Sequence, residues 1–201
     1  KGLFSLILLC AATNAMALQS GDFIYTSNGS VATVEGYTGA GGAVVIPSTL
    51  GGLPVKSIFN NAFIGKTSIT SITIPSGVTS INSGAFSGCT GLTSVSIPNT
   101  VTTLGSQVFR QTGLVSITIP NSVTTFGWGM FYICNKLTTV TLPSGLTSIP
   151  MMTFEKCDKL ANVTLPAGVT SIEYAAFSGC NSLTSLSIPS GVTTIGNSAF
   201  L

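Results

Sequence analysis

The sequence predicts a curved, β-rich solenoid of 23-residue coils, each with short strands and a short helical or 3-10 turn, and a β-hairpin cap at its N-terminal end. Three observations carry this expectation. Pro75, Pro98, Pro120, Pro143, Pro166 and Pro189 follow one another at steps of 23, 22, 23, 23 and 23 residues. Phe63, Phe86, Phe109, Phe131, Phe154, Phe177 and Phe200 keep the same beat. The phrase AFSGCTGLTSVSIP at 85–98 returns as AFSGCNSLTSLSIP at 176–189. A fixed period of this length marks a chain whose units bury their apolar faces only against their neighbours.

Taken in order, residues 1–17 (KGLFSLILLCAATNAMA) have the pattern of a signal peptide. Lys1 gives a positive start, Leu3 to Ala12 an apolar run too short to span a bilayer, and Ala15-Met16-Ala17 a small-x-small cleavage site. Lys1 in place of a start methionine is read as a clipped front. Residues 18–46 are expected to form an N-terminal β cap, with two alternating runs around a Ser27-Asn28-Gly29-Ser30 turn. Residues 47–201 are expected to form the solenoid, about seven coils with the last incomplete, the polypeptide continuing beyond Leu201.

Within a unit, Leu183-Thr-Ser-Leu186-Ser-Ile188 shows the L-x-x-L-x-L strand pattern of leucine-rich repeats, apolar residues inward and hydroxyls outward. Proline then ends the strand and Ser-Gly turns the chain. A second extended piece follows, such as Val192-Thr-Thr-Ile195, and the segment ending in Ala-Phe is expected to be the helical or 3-10 turn. The 22-residue step comes from VFRQTGLVSITIP, which lacks the residue that its neighbours fill with cysteine. Such a one-residue loop deletion is cheap.

The motif IPSGVTSINSGAFSGCTGLTSVSIP at 74–98 closely resembles the BspA-like (Treponema pallidum-type) leucine-rich repeat family, over residues 45 to 201. The resemblance implies a leucine-rich repeat solenoid on an exported or cell-surface protein, often an adhesin that binds host or matrix proteins. Fold transfers along such a resemblance better than role does.

Composition narrows the chemistry. Charged residues make up 6 % of the chain, against roughly 25 % in ordinary globular proteins, and 44 % are hydrophobic. A net charge of +2 without a basic cluster gives no footprint for nucleic acid. The chain has no histidine, which excludes Ser-His-Asp and Cys-His catalysis. Glu155 and Asp158, interleaved with Lys156 and Lys159, could be read as a glycosidase pair, but a solvated loop with ion pairs is the expected state. GAGG at 39–42 lacks the Lys-Ser/Thr of a phosphate loop. No catalytic residue, cofactor or metal site is expected.

Cys89, Cys134, Cys157 and Cys180 share one repeat position, so they should stack with parallel side chains about 4.8 Å apart. A disulfide needs converging Cβ atoms about 3.8 Å apart. Buried free thiols are expected, with at most one bridge conceivable among Cys134, Cys157 and Cys180.

Two surfaces remain as candidate contacts. One is a row of outward hydroxyls: Ser71/Thr73, Ser94/Ser96, Ser116/Thr118, Thr139/Thr141, Asn162/Thr164 and Ser185/Ser187. The other is Trp128, Met151 and Tyr174, which share one position in three consecutive coils, with Tyr132 nearby. The function expected is non-catalytic binding of an extracellular protein or glycan through an extended surface. The alternatives are a structural spacer, a self-associating envelope component, or a carbohydrate-binding module of a larger protein. No nucleic-acid partner and no membrane span are expected.

Overall fold

The computed structural model describes residues 16–201. All but the last two residues of the expected signal peptide therefore lie outside the described residues. The chain opens with β1 (Leu18–Ser20), β2 (Phe23–Ser27) and β3 (Ala32–Tyr37), joined as an antiparallel meander. Asn28 closes the β2–β3 turn, its side-chain oxygen accepting from the Ser30 and Val31 amides at 3.0 Å. Next come β4 (Gly42–Val45), β5 (Thr49–Leu50) and β6 (Leu53–Ile58), the last two forming a tight hairpin through Gly51 and Gly52 at φ 58° and 80°.

The repeating strands are β7 (Ile69–Thr73) and β8 (Ser80–Ile81), β9 (Ser94–Ser96) and β10 (Thr103–Leu104), β11 (Ser116–Thr118) and β12 (Thr125–Phe126), β13 (Thr139–Thr141) and β14 (Ser148–Ile149), β15 (Asn162–Val163) and β16 (Ser171–Ile172), and finally β17 (Thr194–Ile195). They build two parallel rows. The first row runs β4-β7-β9 and then β11-β13-β15. The second runs β3-β6-β8-β10-β12 and then β14-β16-β17, with β1 and β2 prolonging it at the N-terminal end. Numbering coils by their phenylalanines, coil one holds Phe63 and coil seven Phe200.

Each of the six periodic prolines from Pro75 to Pro189 accepts at its carbonyl from the amide three residues on, as in Val78 to Pro75 at 3.1 Å and Val169 to Pro166 at 3.1 Å, which turns the chain from the first row to the next second-row strand. The third side of each coil carries the phenylalanine. Phe63 through Phe177 are fully buried, and ring centroids follow one another at 5.2–6.0 Å from Phe63 to Phe200. Phe23 and Tyr37 extend the column into the cap at 5.3 and 5.6 Å.

The expected helical or 3-10 turn around the phenylalanine is absent, and the backbone says why. The residue two before each column phenylalanine from Phe63 to Phe200 has φ between 53° and 66°, and the residue two after each from Phe63 to Phe177 has φ between 55° and 73°. Left-handed residues at both places interrupt any right-handed helix. Alternate amides instead bond to the next coil: Phe63 to Ala85, Phe109 to Met130 and Phe154 to Ala176, at 2.8–3.1 Å. A second difference lies at Leu183 to Ile188, expected as a strand, which follows β15 with no ladder pairing.

Candidate contact surfaces

The first-row strands point Ile72, Ile117 and Val140 into the core and leave their hydroxyls outward, as period-two alternation requires. Parallel register aligns those hydroxyls in two files: Ser71 beside Ser94, Thr73 beside Ser96, Ser116 beside Thr139, Thr118 beside Thr141, and Thr139 beside Asn162. All are exposed except Ser71, which β4 half-covers through the Ala43–Ser71 pairing. Thr164, Ser185 and Ser187 are exposed on the later coils. Two shallow depressions lie along this face. One of about 470 Å³ is lined by Ser94, Ser96, Ser116, Thr118 and Pro120, and one of about 310 Å³ by Asn162, Thr164 and Pro166, with Thr139 and Thr141 shared by both.

Trp128, Met151 and Tyr174 do stack as one position. The Trp128 carbonyl accepts from the Gln107 amide, that of Met151 from Gly129, and that of Tyr174 from Met152, each at 2.9 Å. The same bond recurs at Ser83, Ser106 and Asn197, the smaller residues of the file. The three bulky side chains are 42 %, 41 % and 48 % exposed. The Met151 amide donates to a Glu173 carboxylate oxygen at 3.0 Å, tying coil five to coil six beside them. Tyr132 is half-buried under the Arg110 guanidinium at 5.6 Å, and its carbonyl accepts from the Gln111 amide at 2.8 Å.

Cys89, Cys134, Cys157 and Cys180 are free, the first three fully buried and Cys180 half-buried. Each thiol donates to the phenylalanine carbonyl one coil back: Cys89 to Phe63 at 3.0 Å, Cys134 to Phe109 at 2.9 Å, Cys157 to Phe131 at 3.1 Å and Cys180 to Phe154 at 3.1 Å. In coil three, which lacks the cysteine, buried Thr112 donates to the Phe109 carbonyl at 3.0 Å and contacts the Cys134 sulfur at 3.3 Å. Burial pushes the Cys89 and Cys134 thiols up to about 11 and Cys180 to about 12, and raises Cys157 as well. At neutral pH these sulfurs are protonated and poor nucleophiles.

Asp158 is exposed and accepts from the Asn181 amide at 3.4 Å, and Glu155 is half-buried on the turn. Among the described residues no group of three or more Cys, Asp or Glu gathers as a metal position, and no helix is long and apolar enough to cross a membrane.

Sequence reasoning passed over one set of residues. Thr79, Thr102, Thr124, Thr170 and Thr193 open the second-row strands, and each binds the carbonyl one coil back twice. The amide donates at 2.8–2.9 Å and the hydroxyl at 3.2–3.4 Å. The repeated V-T dyad was the available signal.

Comparison with known proteins places these features in a family. Six copies of the BspA type leucine rich repeat region match over residues 56–160 and 130–201. A leucine-rich repeat protein of T. pallidum is 33 % identical, with 89 % of this chain and 85 % of that one covered and a TM-score of 0.82. A leucine-rich cell surface protein of Faecalibacterium prausnitzii is 34 % identical over 94 % of this chain, with a TM-score of 0.75. A leucine-rich repeat protein of Bacteroides ovatus is 26 % identical over 89 % of this chain, with a TM-score of 0.71. The chain spans 53 % and 55 % of the length of the last two. No curated protein matches it. With the family model matched over most of the chain and a relative 33 % identical across 89 % of it, this chain belongs to the BspA-type leucine-rich repeat family.

Proposed function

We propose that the chain is exported to the cell surface or beyond it and acts there as a non-catalytic scaffold that docks an extracellular protein. The observation that carries this reading is the file of Trp128, Met151 and Tyr174. Three large side chains stand about half exposed on consecutive coils, at a position that elsewhere holds Ser83, Ser106 and Asn197. Aromatic residues and methionine are enriched among residues that dominate protein contacts, and apolar groups left in water at neighbouring sites favour a partner that covers them. A surface location is supported by the likeness to the F. prausnitzii cell surface protein. The non-catalytic reading is supported by the absence of histidine and by thiols held protonated in the core.

A glycan is the second reading, favoured by the neutral, hydroxyl-lined depression over Ser94, Ser116 and Thr139. The two separate by experiment. Surface plasmon resonance against purified extracellular-matrix proteins should register binding that falls at least about tenfold when Trp128→Ala is combined with Tyr174→Ala. Unchanged affinity in a folded double variant overturns the protein reading. Glycan-array binding that survives the double variant and is lost with Thr139→Lys favours the second.

A further inference from the structure

The second-row ladder is complete except at one step. β10 pairs with β12, and β14 with β16, but β12 and β14 do not pair. The residue after the second-row strand donates its amide to the preceding coil wherever it can: Asn82 to Ile58, Gly105 to Ile81, Gly127 to Leu104, Glu173 to Ile149 and Gly196 to Ile172, at 2.7–2.9 Å. In coil five that residue is Pro150, which has no N–H to give. The threonine clamp fails at the same step: Thr147 makes neither the amide nor the hydroxyl bond to Thr124 that its five counterparts make to theirs.

The other two sides of the same step are closed. β13 pairs with β15 in the first row. On the third side the Phe131 and Phe154 rings stack at 5.5 Å, and the Phe131 amide bonds to Thr153 at 2.9 Å. The turn into the second row keeps one tie, the Ser144 amide donating to the Asn121 side-chain oxygen at 2.8 Å, so the step is loose only between β12 and β14 and can open only there. We infer that the solenoid is hinged between coils four and five, opening on the second-row face at Pro150. The hinge itself rests on backbone bonding alone and stands or falls independently of any partner.

Amide exchange and a distance measurement test it. Thr79, Thr102, Thr147, Thr170 and Thr193 are all exposed, so exposure alone does not separate their amides. The Thr147 amide should exchange about tenfold faster than those of Thr102 and Thr170, the effect of one missing hydrogen bond. Pro150→Asn gives coil five the residue type of Asn82, and the amide introduced at position 150 should be protected. Spin labels at Ser76→Cys and Ser190→Cys, both exposed turn sites, with Cys10→Ser, should report a distance distribution that narrows when Pro150→Asn is added. Pro150→Glu, after Glu173, serves if the asparagine variant does not fold. Thr147 exchanging as slowly as Thr102 overturns the inference, and so does a distribution whose width Pro150→Asn leaves unchanged.

Discussion

The phenylalanine side of the coil and the two strand rows respond differently to the same irregular sequence. The one-residue deletion in coil three leaves the rings unbroken, with Phe86–Phe109 at 5.8 Å and Phe109–Phe131 at 6.0 Å. The first row parts at that step: β9 and β11 do not pair, and Val115 makes neither of the bonds that Thr93 and Thr138 make to the coil before them. The second row parts at Pro150, again with the rings in contact. Ring stacking asks only for an apolar side chain at the right place. A ladder asks for a donor and an acceptor at every step, so a single proline breaks it.

The largest test of that contrast is Phe131→Ala, expected to cost about 3–5 kcal/mol in urea unfolding because the ring is fully buried mid-column. Phe200→Ala, at a ring 47 % exposed, should cost well under half as much. Equal losses would mean that the column does not support the stack.

Next comes pH. The folded thiols titrate above their unfolded value of 9.0, so the folded state binds protons more tightly. Their stabilisation is fully present below about pH 9 and declines as pH rises toward 11 and 12. Thermal unfolding should show Tm falling across that window, with a shallower fall once Cys89, Cys134, Cys157 and Cys180 are replaced by alanine. A slope unchanged by the replacement breaks the assignment.

Gly127→Ala should cost about 1–3 kcal/mol, because a Cβ there would collide with the Gly105 backbone one coil back. Gly145→Ala, with open space around its Cβ, is the control and should stay within about 0.5 kcal/mol. The smallest effect is a gain: Val115→Thr restores the hydroxyl clamp and should stabilise by about 0.5–1 kcal/mol. No gain would place the first-row break in the backbone and not in the missing hydroxyl.

Much of the fold was legible because a repeat states each contact several times over. Phe86 and Phe109 share a period, and residues one period apart in a solenoid touch. The left-handed kinks were hidden because Asn61, Gln107, Met152 and Ile133 have no common chemistry and no leaning toward positive φ as a group. They are imposed by the amides that reach across to the next coil. Of the contact surfaces, the Trp128 file was readable from spacing, and its exposure was inferable from the serines that share it. Tyr132, grouped with it by proximity in sequence, is half-buried and lies under the Arg110 guanidinium.

By itself the sequence determined the period, the ring column and which side chains face inward, since these depend only on which residue types recur at which spacing. Only the tertiary structure decided which backbone groups find partners. The carbonyls of Thr93 and Phe126 depend on what the next coil offers, and Val115 and Pro150 offer less than the repeat does elsewhere. A hydrogen bond is settled by two atoms from different coils, and no stretch of sequence contains both.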